Sequence, residues 1–196
     1  FHKFQHYYSV FLYGLLTFNW AITTDIKQMR RYIKKGLSYG KFRSPVKQWT
    51  VLVVTKIIYV LVWLVTPMLL GIAWWKVLIG FFVMHYVAGL ILSIVFQLAH
   101  TVEHTEFPIA LQPENRLPDE FAAHQIQTTA NFATKSKVIS WLVGGLNFQI
   151  EHHLFPKISH VHYPAISKIV KEACAEFKLN YIEYPTVLEA VKAHVQ

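Results

Sequence analysis

Two apolar runs of 23 residues, Val51 to Ala73 and Val77 to Ala99, lie almost back to back, and no acid interrupts either. Lys56 is the one charge in the first, and His85 the only residue in the second that can carry charge near neutral pH. A hydrocarbon core of about 30 Å takes about 20 helical residues, so each run is long enough to span a bilayer with some tilt. Only Trp74, Trp75 and Lys76 separate them, which makes a helical hairpin with tryptophans at headgroup level. The alternative, two buried core helices of a soluble protein, requires adjacent acid-free stretches that are unusual in water.

Charge gives the hairpin a direction. The formal excess of +8 lies wholly before the apolar middle: residues 1–50 hold nine bases and one acid, Asp25. Residues 100–196 hold eight bases and ten acids. That asymmetry reads as an orientation signal with both flanks cytoplasmic, not as a nucleic-acid footprint. The same basic stretch can touch anionic lipid headgroups. Tyr7 to Ile22 is apolar but short for a span and reads as an interfacial or re-entrant helix. Lys56 is expected to snorkel, and His85 to sit as a neutral imidazole bonded to a neighbouring helix.

The expected fold is all-α: an integral membrane helical hairpin with a cytoplasmic, helical, histidine-rich metal-binding cap. Its parts are a basic cytoplasmic or interfacial segment (1–50), the hairpin (51–99, spans 51–73 and 77–99) and the cap (100–196). Within the cap, residues 108–118 are Pro-rich and read as a loop. Asp119 is placed to cap a helix from about Glu120 to Leu142, ended by Gly144-Gly145. Pro164 suits the first turn of a last amphipathic helix reaching about Lys178. The single Cys174 excludes an internal disulfide framework and Cys-rich metal sites. The chain opens Phe-His-Lys-Phe, without Met or a signal-peptide pattern, and reads as the C-terminal part of a longer protein.

Eight of the eleven histidines fall in the last half of the chain. Adjacent His152 and His153, with the Gln149 amide three residues earlier, suit a metal-binding loop or helix end. Imidazole serves iron, zinc and copper alike, so ligand type alone leaves the metal open. His100 and His104, where the second span ends, share a face if the helix continues. His124 stands early on the next helix, equally suited to a metal or to a helix surface. His2 and His6 read as surface or interfacial. His160 and His162 are placed to orient a ligand by hydrogen bonding, and His194 is expected in solvent. No Glu precedes a His by three positions, which disfavours a carboxylate-rich helical di-iron site. Zinc-protease, nucleophile-elbow and phosphate-loop motifs are absent from the sequence.

The run Gly144-Gly145-Leu146-Asn147-Phe148-Gln149-Ile150-Glu151-His152-His153-Leu154-Phe155-Pro156 resembles the third histidine box of the membrane fatty acid desaturases, in its Gln-x-x-His-His form typical of front-end desaturases. Gln97-Leu98-Ala99-His100 and His124 to Phe132 are similar to the acyl-lipid or linoleoyl-CoA desaturase-like branch. The resemblance covers essentially the whole chain. It implies His100, His152 and His153 as iron ligands and Gln149 as a weaker one, with His124 and His104 less defined. It also implies two iron ions, a fatty acyl substrate (acyl-CoA or acyl-lipid), and electrons from ferredoxin or a cytochrome-type carrier. The reaction implied is insertion of a cis double bond with O2, in the inner cell membrane, with Glu151 or Glu103 fixing histidine tautomers. A membrane hydroxylase or alkane monooxygenase, or an inactive membrane-anchored metal-binding fragment, is the alternative. The family's His-x-x-His-His box does not occur here, so the resemblance implies part of a di-iron site, inactive alone.

Overall fold

The computed structural model describes residues 4–37, 44–109 and 120–195 and, of His6 and Tyr7, the backbone alone. The expectations for His2, the His6 side chain, the Asp119 cap and positions 110–118 lie outside the described residues. The chain is mostly helical and divides into two compact units, Phe1–Ser93 and Ile94–Gln196.

In the first unit, α1 (Gln5–Tyr13) is followed by α2 (Leu16–Asn19), which passes through a wide π turn (Trp20–Thr24) into α3 (Asp25–Lys34). Helix α4 (Pro45–Val60) starts at a proline, whose missing N–H is no loss in a first turn. A second π turn (Leu61–Val65) joins it to α5 (Thr66–Leu69). The cause is Pro67, whose ring cannot sit against the preceding turn, so the ladder widens ahead of it. The Leu61 carbonyl accepts from the Thr66 amide across the π turn and from the Thr66 hydroxyl at 2.9 Å. Gly71, at φ +87, ends the segment in a left-handed turn open to glycine. Helix α6 (Trp74–His100) then begins at the tryptophans.

The continuous helices Pro45–Leu69 and Trp74–His100 are both long and apolar enough to cross a membrane. Their most hydropathic windows are 0% and 22% buried, respectively. Core helices of a soluble protein would be covered, so these exposed apolar surfaces belong in lipid and the protein is membrane-associated.

Polar groups between the helices are paired. The His85 side chain accepts from the Tyr59 hydroxyl at Nε2 and donates from Nδ1 to Thr17 Oγ1 at 3.0 Å. Thr17 Oγ1 in turn donates to the His85 carbonyl at 2.7 Å. One neutral tautomer satisfies all three groups, as expected for this residue. The Lys56 ammonium bonds to Asp25 at 2.5 Å and to the Ala21 carbonyl at 2.7 Å. Both are charge-assisted bonds, so the cation has an opposite charge and a backbone oxygen as partners.

Gly89 lies against the turn after α1, where an added Cβ would stand 2.5 Å from the Gly14 carbonyl oxygen. Backbone cannot give way as a flexible side chain does. Gly89→Leu is therefore expected to cost about 3 kcal/mol or more, because overpacking here displaces a helix. Thermal unfolding in detergent reads this, and an unchanged midpoint would refute the close approach.

The second unit departs from the expected long helix at 120–142. It holds α7 (Phe121–Gln127), a two-residue strand β1 (Asn131–Phe132) and α8 (Lys137–Leu142). Thr128 and Thr129 turn their hydroxyls back onto the carbonyls of His124 and Gln125, at 2.8 and 2.5 Å. The ladder is left just after, where the Ala130 and Asn131 amides donate to the Ala99 and Ile182 carbonyls instead, both at 2.9 Å. Strand β1 pairs in parallel with β2 (Glu183–Tyr184). Ser136 caps α8, accepting from the Ile139 amide at 3.2 Å. Left-handed Gly144 and Gly145 reverse the chain into α9 (Gln149–Leu154). Helix α10 (Tyr163–Phe177) follows, with Pro164 in its first turn and left-handed Lys178 at its end, as expected. A final helix, α11 (Val187–Val195), has Ala190 and Ala193 buried.

Glu183 is half-buried and bonded by Lys171 and the Thr134 hydroxyl. Burial pushes its carboxyl up, but those bonds and the charges of Lys171 and Lys135 outweigh this and hold it below its ordinary value. A carboxylate held low in the fold stabilises above its unfolded pKa, about 4.3. That contribution is lost as pH falls through the folded value. Lys171→Met should flatten this loss on the acid side of the ordinary carboxylate range in thermal unfolding, by under about 1 kcal/mol. An unchanged pH profile would count against the pair.

Candidate metal centre

The site grows from the termini of two helices. Helix α6 ends at His100, and α9 begins at Gln149. On α9, Gln149, His152 and His153 are spaced to share a face, while Ile150 and Glu151 enter the core fully buried.

Asn131 on β1 sets α9 in place. Its Oδ1 accepts from the Ile150 amide at 2.9 Å, satisfying one of the donors left open at a helix start. Its amide nitrogen donates to Glu151 at 2.7 Å and to the Tyr181 hydroxyl at 2.6 Å. Tyr181 donates on to the other Glu151 oxygen at 2.8 Å. Burial pushes the Glu151 carboxyl up despite these bonds, and burial beside Glu151 pushes the Tyr181 hydroxyl up.

Against this base, the Gln149 amide nitrogen lies 3.2 Å from His100 Nε2 and 3.3 Å from His153 Nε2. The two rings meet edge to face, 5.0 Å between centroids. An amide N–H only donates, so both Nε2 atoms present lone pairs toward one point. His153 Nδ1 carries the proton and donates to Gln125 Oε1 at 2.7 Å. Burial, with His100 and His152 nearby, lowers the His153 pKa to about 4, so its imidazole is neutral at pH 7. His152 stands 5.9 Å from His153 by centroid, and its Nδ1 meets the Tyr163 hydroxyl at 3.2 Å. Among the described residues, Gln149 Oε1 and His124 Nδ1 are buried without a hydrogen-bond partner. Among the described residues, no group of three or more His, Cys, Asp or Glu side chains is close enough to hold an ion. The group between the two Nε2 atoms is an amide.

The structure thus brings His100, Gln149, His152 and His153 together, with His124 on α7 beside Gln125. His104 stands apart: the helix stops at His100, and His104 lies exposed in a left-handed turn at φ +74. It shares no helical face with His100. The carboxylates expected to fix tautomers do not do so. Glu151 bonds Asn131 and Tyr181, and Glu103 is exposed, 3.9 Å from His104. Gln125 and Tyr163 fill that role for His153 and His152. No spacing rule marks them, because both reach the site from other elements. His160 packs on Gly145, where a Cβ would come within 2.5 Å of its own. His194 is half-buried and bonds the Thr101 carbonyl at 2.6 Å, instead of lying in solvent.

The fatty acid desaturase family model matches residues 1–185, leaving α11 outside the match. The chain is 36% identical to an sn-1 linoleoyl-lipid 6-desaturase of Arthrospira platensis, over 99% of this chain and 52% of that protein. It is 43% identical to an sn-1 linoleoyl-lipid 6-desaturase of Synechocystis, over 65% of this chain and 36% of the relative. Against an acyl-lipid (8-3)-desaturase of Physcomitrium patens it is 34% identical, over 99% of this chain and 40% of the relative. The chain spans about half the length or less of these relatives, and no solved structure matches. A family model matched over residues 1–185, with relatives 34–36% identical over 99% of the chain, places this protein in the fatty acid desaturase family.

Proposed function

We propose that the chain forms the C-terminal part of a membrane fatty acid desaturase that inserts a cis double bond into an acyl chain, using O2 and two electrons. The observation that carries this is the convergence of the His100 and His153 Nε2 lone pairs on the Gln149 amide. Neutral imidazoles and one amide suit iron and leave its charge uncancelled, and the buried, unpartnered Gln149 Oε1 is a group that a cation would satisfy. His100, His152 and His153 would hold iron, with Gln149 a weaker ligand and His124 a further candidate; His104, exposed and apart, is a poor one. When bound, a pair of irons supplies oxygen activation and hydrogen abstraction from an unactivated chain. The polypeptide's own part is to hold the imidazoles neutral and oriented: Gln125 fixes the proton on His153 Nδ1, and Tyr163 braces His152.

The relatives' names point to a lipid-linked acyl substrate rather than acyl-CoA. Ferredoxin or a cytochrome-type carrier would supply electrons. The basic flank of residues 1–50 supports an inner-membrane location with both flanks of the hairpin and the histidine-rich cap in the cytoplasm. Expressing the complete reading frame in a host without the product, then analysing its lipids by mass spectrometry, tests the reading. A new double bond is expected. Hydroxylated chains without new double bonds would overturn it in favour of a hydroxylase.

A further inference from the structure

We propose that α11 is a clamp on the end of α6 that positions His100, with His194 as the positioning residue. The inference rests on the metal-centre reading above. A helix terminus leaves its last carbonyls open and frays unless they find partners. At the end of α6 they are taken one by one. The Gln97 carbonyl accepts from the Thr101 amide at 2.8 Å, and the Ala99 carbonyl from the Ala130 amide at 2.9 Å. The His100 carbonyl accepts from the Thr105 hydroxyl at 3.3 Å. One residue on, the Thr101 carbonyl accepts from His194 Nδ1 at 2.6 Å.

A second bond runs the opposite way between the same segments: the Glu103 amide donates to the Ala193 carbonyl at 2.9 Å. Packing follows the same line. Ala190, fully buried, sits in a cluster with Leu98 and Phe132, and Ala193 in one with Val102 and Ala130. His100 is thereby flanked on both sides, at 98–99 and at 101–103, by residues that α11 or β1 grips. A methyl at positions 190 and 193 lets α11 come close enough for the His194 bond to form. The bond fixes the direction in which the chain leaves α6, and with it the aim of the His100 ring at Gln149 and His153. His194 bonds Thr101, the residue next to His100, and acts on the ligand through it.

The test uses the complete reading frame, purified in detergent, with His194→Leu and His194→Asn. Leucine removes the donor, whereas asparagine keeps an N–H near the Nδ1 position. For His194→Leu, kcat should fall about 10- to 100-fold with KM for the acyl substrate unchanged, and bound iron per folded chain should fall with it. The Mössbauer spectrum of the iron that remains should show an altered site. His194→Asn should restore most of the kcat and the iron. Should His194→Leu not fold, His194→Asn decides alone: full iron and kcat in it support the clamp, and loss of both at an unchanged unfolding midpoint overturns it. An iron-bound wild type whose His194→Leu variant keeps its kcat, iron and spectrum overturns the clamp alone. A folded wild type without iron overturns the metal-centre reading and the clamp with it.

Discussion

Glu151→Ala is expected to destabilise the unit Ile94–Gln196 by about 3–5 kcal/mol, whereas Glu151→Gln should cost about 1–3 kcal/mol. The carboxylate is fully buried and accepts from Asn131 and Tyr181 at 2.7 and 2.8 Å. Alanine leaves both donors in a dry core, each losing about 1–3 kcal/mol of hydrogen bonding, and adds a cavity. Glutamine keeps the volume and one acceptor oxygen but turns an N–H toward one of the two donors. Because Asn131 also caps the first turn of α9, the damage should spread to the histidine face. Thermal and denaturant unfolding of the two variants gives the ranking. If alanine proves as stable as glutamine, the network contributes nothing and α9 is held by packing alone.

The parts visible in the sequence are those with a local signature. Continuous apolar runs announce α4 to α6 because runs of that length and composition need an apolar surround and fit helices. Pro164 and the Gln149–His153 spacing announce α10 and the histidine face, because both are local helix rules. The parts that were not visible depend on partners distant in sequence. Asn131, on the two-residue strand β1, answers Glu151 and Tyr181, 20 and 50 residues away. The stretch 128–131 looks compatible with a helix because the carbonyls that take the Ala130 and Asn131 amides, on Ala99 and Ile182, are distant in sequence. The Asp25 partner of Lys56 is hidden because it stands 31 residues upstream. His194 reads as a terminal surface residue because nothing near it in the chain shows Thr101 at hand.

His153→Ala is expected to abolish turnover of the complete protein and to lower its bound iron, and Gln125→Leu to lower iron affinity by about 10- to 100-fold. The two act on one imidazole in different ways. Alanine deletes an Nε2 lone pair that shares its focus with His100. Leucine leaves that lone pair but removes the acceptor 2.7 Å from Nδ1, so the tautomer and the ring direction lose their anchor. A buried Nδ1–H without an acceptor also favours the other tautomer, whose Nε2 carries a proton and cannot bind a metal. Gln125→Glu should retain iron, because a carboxylate oxygen accepts the same hydrogen bond and strengthens the basicity of Nε2. Iron content after gel filtration, measured across the three variants, separates a ligand from the group that orients it. Equal iron in wild type and His153→Ala would remove His153 from the centre, and equal iron in wild type and Gln125→Leu would show that packing alone aims the ring.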